Sequence, residues 1–195
     1  ENMEKNRTIF FDEYGKLLDF AAALSSPVRM RIMKELAANA MSVKILAVGD
    51  VCGEPGLDYL EKNLRNYRKE NGIDFVVVNG ENANVVGVTP RQADAIFRAG
   101  ADVITLGNHT WTRTELRPYL DERSRILRPA NFAPQCPGRG IGVFKTAFGD
   151  VCVLNLIGRF TLDSNTDNPF VIADGYMEEI KEKIILVDFH AEGTS

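Results

Sequence analysis

The sequence predicts an α/β fold with a largely parallel sheet, and three observations predict it. Short, predominantly apolar runs rich in β-branched residues recur at Val43 to Val48, Phe75 to Val78 and Val103 to Leu106. Stretches of helical spacing lie between them, Leu57 to Glu70 and Arg91 to Ala99. Each run ends in a polar or glycine-containing turn, so the order reads β-α-β-α-β. Strands too apolar to face water, joined by helices of this length, imply right-handed crossovers and a sheet covered on both faces.

The elements follow in order. The first run ends in Gly49-Asp50, and the helix after it carries Leu60, Leu64 and Tyr67 on one face. After Arg128 the texture changes: Ile141 to Thr146 and Val151 to Leu156 flank Gly149-Asp150 and predict a hairpin. Ala173 to Lys183 predicts a helix, and Ile184 to Phe189 a last strand ending on His190. Upstream, residues 1–40 read as helical and set a seam near Met41. Leu17, Leu18, Phe20, Ala21 and Leu24 share a face, Ser26 and Pro27 supply a cap and first-turn proline, and Val28, Ile32, Met33 and Leu36 follow. The stretch Leu24 to Leu36 resembles the early helices of ArsR-type regulators, but no recognition helix or wing follows it. The expected organisation is therefore a helical extension over 1–40 and a main domain over 41–195.

Composition narrows the function. The chain has 195 residues, 45% apolar and 26% charged, the balance of one soluble globular domain rather than a disordered or fibrous chain. Its longest apolar runs, such as Phe20 to Leu24 and Ile184 to Val187, fall far short of the roughly 18 residues that a membrane span needs. No secretory signal pattern is visible, so a cytoplasmic protein is expected. Three cysteines, Cys52, Cys136 and Cys152, are an odd count at irregular spacing and predict reduced thiols. A net charge of −4 argues against a broad nucleic-acid groove.

The strongest chemical signal is that four predicted strand ends deliver metal-competent side chains. They are Gly49-Asp50, Asn79-Gly80-Glu81-Asn82, Gly107-Asn108-His109 and Asp188-Phe189-His190. In a parallel sheet the carboxyl ends share one edge, so Asp50, Glu81, Asn108 and His190 can converge. Carboxylates, an amide oxygen and an imidazole suit Mn, Fe, Zn or a similar ion, whereas all-thiolate coordination is excluded. Singly, Asp50 reads as a turn or helix cap and His190 as a hydrogen-bonded core residue. Only two histidines exist, however, and both sit at such positions.

These residues lie within Lys44-Ile-Leu-Ala-Val-Gly-Asp-Val-Cys-Gly-Glu-Pro-Gly56, Val78-Asn-Gly-Glu-Asn-Ala83 and Gly100-Ala-Asp-Val-Ile-Thr-Leu-Gly-Asn-His-Thr-Trp111. Arg128-Pro-Ala-Asn-Phe132, Asn155-Leu-Ile-Gly-Arg159, Asp167-Asn-Pro-Phe170 and Asp188-Phe-His-Ala-Glu192 follow. Together, in this order and spacing, they closely resemble the YmdB-type branch of the calcineurin-like metallophosphoesterases, from Met41 to the last residue. The resemblance implies that fold, β-sheets flanked by helices, and two divalent metal ions, from Fe, Mn, Mg or Zn. It implies that Asp50 binds the first ion, Glu81 bridges both, and Asn108 and His190 bind the second, with Asn82 facing the metals or supporting their ligands and His109 as general acid or phosphate contact. It implies an enzyme, a phosphodiesterase acting on small phosphate esters such as 2′,3′-cyclic or 3′,5′-cyclic AMP by attack of a metal-bridging hydroxide.

The branch differs from the wider superfamily at three positions here: Cys52 stands where a histidine is usual, Glu81 replaces an aspartate, and Thr110 follows His109. A further difference is that relatives continue into a Gly-Thr-His-Thr-His segment which this chain lacks. The expectation is thus a domain incomplete at its C-terminus, each metal short of one ligand, with an unprotected sheet edge that could pair into homo-oligomers. Arg128 and Arg159 are candidate phosphate contacts, and Phe132, Phe160, Phe170 and Trp111 candidate base contacts; salt bridges and core packing are the plainer roles. The alternative function is a catalytically impaired nucleotide-sensing or regulatory protein. A dinucleotide-binding domain fails, because Gly49-Asp50-Val51-Cys52-Gly53-Glu54 lacks the glycine spacing.

Overall fold

Strand β1 (Ile45–Val48) lies at one edge of a parallel sheet whose next member, β2 (Phe75–Asn79), is buried throughout. A computed structural model describes residues 43–160, 162, 165–182 and 184–191; the extension expected over 1–40 lies outside the described residues. Between the two strands runs α1 (Gly53–Glu70), whose Leu57, Leu60 and Leu64 are buried on one face, with Arg68 and Lys69 in its last turn against the carbonyl end of the helix. Helix α2 (Pro90–Ala99) is delimited by its own sequence. Thr89 and Gln92 form a reciprocal capping box, Pro90 opens the first turn, and Gly100 closes the helix in the left-handed region at φ 117°. Strand β3 (Val103–Thr105), helix α3 (Leu116–Glu122) and strand β4 (Ile126–Leu127) complete the sheet, in the order β1-β2-β3-β4, parallel throughout.

A second sheet follows. Strand β5 (Ile141–Thr146) pairs antiparallel with β6 (Gly149–Ile157), and β7 (Ile184–His190) adds parallel to β6. Helix α4 (Pro169–Glu179) enters between β6 and β7 in the chain, its amino end capped by the Asn168 side chain accepting from the Phe170 amide.

The period-two alternation of strands sets the layers. Val76, Val78, Ile104, Leu106 and Ile126 join the buried residues of α1, α2 and α3 in one core. On the opposite face Phe75 meets Phe144 of β5, with ring centroids 5.9 Å apart. Asn155 of β6 reaches Leu106 O and Leu127 O, so β6 and β7 turn Asn155, Asp188 and His190 toward the first sheet. Cys152, Leu154 and Leu156 face away, onto the side where Phe170 of α4 stacks on Phe189. The layers thus run helices, sheet, sheet, helix.

Four features depart from the sequence expectation. The last strand belongs to a second sheet and not to the first sheet's edge. Helix α4 starts at Pro169 rather than Ala173 and ends at Glu179 rather than Lys183, because Asn168-Pro169 supplies a cap and a first-turn proline. The hairpin loop is Ala147-Phe148, so Gly149 is the first residue of β6, paired with Thr146 at φ 124°. Helix α3 and the two-residue β4 carry too little periodicity to be predicted.

Candidate metal centre

The loops after β1, β2 and β3 are stitched to one another before any side chain is considered. Val51 N donates to Asn79 O at 3.0 Å, Gly53 N to Asn82 O at 2.8 Å, and Gly80 N to Thr105 O at 3.0 Å. The Glu81 amide is held by Asn79 Oδ1 at 3.2 Å, which turns the Glu81 carboxylate inward. Gly107 is required by close approach: a Cβ there would stand 2.1 Å from Glu81 Oε2 and 2.7 Å from His190 Cδ2.

The six side chains expected at the metals or as general acid, Asp50, Glu81, Asn82, Asn108, His109 and His190, come together. Glu81, only 1% exposed, sits at the centre. Its Oε1 lies 3.0 Å from His190 Nε2, and its Oε2 accepts from the His109 amide at 3.3 Å. His190 Nε2 also lies 2.9 Å from Asn108 Oδ1, and Asn108 Nδ2 lies 3.3 Å from His109 Nε2. On the other flank Asn82 Nδ2 donates to Asp50 Oδ2 at 2.8 Å and to Glu81 Oε1 at 3.4 Å. His190 arrives from the second sheet, so the site straddles both sheets instead of lying along one edge.

The electrostatics follow from the crowding of carboxylates. The hydrogen bond to Glu81 raises the His190 pKa above its usual value; burial opposes this, and the charges of Glu81, Asp188 and Asp50 add to it. The Cys52 thiol, 3.8 Å from Asp50 Oδ2, is pushed up chiefly by the Asp50 charge, which disfavours a thiolate there.

The donor set fits divalent cations. Two acceptor oxygens, Glu81 Oε1 and Asn108 Oδ1, converge on His190 Nε2, so a proton on that nitrogen occupies the place where a cation would satisfy all three. The Asn82 amide nitrogen does the same between Asp50 and Glu81, while buried Asn82 Oδ1 has no hydrogen-bond partner among the described residues. Among the described residues no three His, Cys, Asp or Glu side chains form a ready metal cage. The cluster reaches ligand number only through amide oxygens, a hard O/N set suited to Mg, Mn, Fe or Zn.

Other candidates fare differently. Arg128 is 5% exposed and spends its guanidinium on Pro129 O, Cys136 O and Pro137 O, so it braces a loop and is not free for phosphate. Arg159 and Phe160 are exposed beyond the end of β6. Trp111 and Phe132 pack edge to face at 5.3 Å, which ties the loop after His109 to the loop after β4. Sequence reading missed Asn131: it is fully buried, donates to Ile157 O and Asp167 O, and accepts from Ile157 N. Its place within Arg128-Pro-Ala-Asn-Phe132 was the available signal.

This layered α/β architecture is shared with solved structures. The chain aligns with the crystal structure of a phosphatase from Mycoplasma pneumoniae at TM-score 0.72 and 29% identity, covering 77% of this chain and 56% of that one. It aligns with a protein from Thermus thermophilus at TM-score 0.71 and 34% identity, covering 76% and 58%. Within that class the chain belongs to the YmdB-like protein family, whose model matches residues 46–195. The 2′,3′-cyclic-nucleotide 2′-phosphodiesterase of Bacillus subtilis (strain 168) is 38% identical over 156 residues, 78% of this chain. The chain spans 59% of that relative's length. Among the described residues no helix is long and apolar enough to cross a membrane.

Proposed function

We propose that this site holds two divalent cations and hydrolyses phosphodiesters, with cyclic nucleotides as the substrate class, in a calcineurin-like metallophosphoesterase fold. The observation that carries the reading is that Glu81 Oε1 and Asn108 Oδ1 each lie within 3.0 Å of His190 Nε2, with the Asp50–Asn82 pair alongside. The name of the Bacillus subtilis relative supports the substrate class.

Bound cations would supply charge neutralisation for the phosphate oxygens and a water acidic enough to ionise near neutral pH. Glu81, facing both flanks, would hold the two ions, with Asp50 and the turned Asn82 amide oxygen on one side and Asn108 with His190 on the other. His190 must give up its Nε2 proton to do so, and the loss of that proton makes binding pH-dependent. His109, half-exposed beside Asn108, would donate a proton to the departing alkoxide oxygen.

The test is hydrolysis of bis-p-nitrophenyl phosphate and of 2′,3′-cyclic AMP by chelator-treated protein with and without Mn²⁺. The expected result is activity restored by Mn²⁺ and absent in Asp50→Asn. Hydrolysis indifferent to the chelator contradicts the proposal. Tight cyclic-nucleotide binding without turnover in Mn²⁺ would instead favour a nucleotide sensor.

A further inference from the structure

Three polar side chains outside the proposed ligand set bridge the two sheets directly beneath the site. The Thr105 hydroxyl, at the end of β3, donates to Asp188 Oδ2 of β7. Asn155 of β6 donates both amide hydrogens, to Leu106 O at 2.7 Å and to Leu127 O at 2.8 Å. Thr105 and Asn155 are fully buried, and Asn155 pairs with Asp188 in the β6–β7 ladder, so both project toward β3. Asp188 is followed two positions later by His190, and Leu106 two positions later by Asn108.

The placement answers a geometric need. Elsewhere the sheets meet through the Phe75–Phe144 contact, which is non-directional, and Asn131 and Ala130 tie only the loop after β4 to β6, so nothing there fixes the offset of β7 on β3. The 2.9 Å contact between His190 and Asn108 joins the two sheets and tolerates little sliding. Hydrogen bonds do fix that offset. We propose that Thr105, Asp188 and Asn155 form an inter-sheet clamp of positioning residues that holds His190 against Asn108 and Glu81.

The test reads His190 directly in metal-free, ¹⁵N-labelled protein, where its Nε2–H gives a side-chain signal and His109 serves as internal reference. Thr105→Val keeps the shape of the side chain and removes the hydroxyl; Thr105→Ser restores it. Thr166→Val is the control, a buried threonine whose hydroxyl has no partner among the described residues. The clamp predicts that the His190 Nε2–H signal is lost or shifted in Thr105→Val but kept in Thr105→Ser and Thr166→Val, with backbone amide signals of β1 to β4 native in all three. An unchanged His190 signal in Thr105→Val, or equal loss in Thr105→Ser, overturns it. Should Thr105→Val fail to fold, Asp188→Asn decides, since its amide oxygen still accepts from Thr105: the signal should persist, and its loss overturns the clamp. The second readout rests on the metal reading. Mn²⁺ affinity should fall about 10- to 100-fold in Thr105→Val, the usual cost of losing a group that orients a ligand, and recover in Thr105→Ser. If the unaltered chain binds no Mn²⁺, the metal reading fails while the His190 signal still decides the clamp.

Discussion

Glu81 shows how a single side chain can be legible in sequence while its surroundings are not. Its position at a strand end beside Asn82 marks it as a candidate ligand, but its near-complete burial and its three partners, His190, Asn82 and the His109 amide, appear only on folding. The pair with His190 has a measurable sign. Because Glu81 raises the folded-state pKa of His190, the stabilisation is fully present below the unfolded imidazole value of about 6.5 and is lost as pH rises through the raised value. In metal-free protein, the melting temperature of the unaltered chain should therefore fall toward that of Glu81→Gln as pH rises above the ordinary imidazole value of about 6.5. A difference that grows with pH would contradict the pairing. His109 is the contrasting case, half-exposed and outside the convergent atoms. His109→Ala should slow bis-p-nitrophenyl phosphate turnover by about 10² to 10⁴ while leaving Mn²⁺ affinity unchanged in a calorimetric titration. Arg128 was unreadable from sequence, since whether a guanidinium meets a phosphate or three carbonyls depends on how the loop 129–137 closes around it.

At the scale of elements, legibility follows the strength of local signals. Helix α2 could be bounded nearly to the residue because capping box, first-turn proline and closing glycine all agree. Thr89→Ala should lower the stability of the chain by about 1 kcal/mol in urea unfolding, the typical value of such a cap. Helix α4 carried its start signal in Asn168-Pro169, and periodicity read from Ala173 onward overlooked it. The loop from Arg128 to Gly140 has no periodicity at all and is braced by buried Arg128 and Asn131. Arg128→Met should leave the carbonyls of Pro129, Cys136 and Pro137 without their donors. A loss of about 1 to 3 kcal/mol by denaturant titration is expected, with substrate KM unchanged. A raised KM at unchanged stability would return Arg128 to the substrate.

For the whole molecule, the α/β class and the first three strands were readable because buried parallel strands are continuously apolar and their helices amphipathic. Of the second sheet, the β5–β6 hairpin was readable but the place of β7 was not. A parallel strand with a polar end looks the same in sequence whether it joins the first sheet or packs across from it, and only the pairing of β7 with β6 distinguishes the two. That difference makes the site a junction of two layers, with Asp50, Glu81 and Asn108 from one and His190 from the other. The account therefore stands on cation binding that needs both. Titration of chelator-treated protein with Mn²⁺, followed by the free-ion signal in electron paramagnetic resonance, tests it most directly. Binding by the unaltered chain and by Cys52→Ser, with most of it lost in both Glu81→Gln and His190→Ala, is the predicted outcome; full Mn²⁺ retention by Glu81→Gln would contradict it.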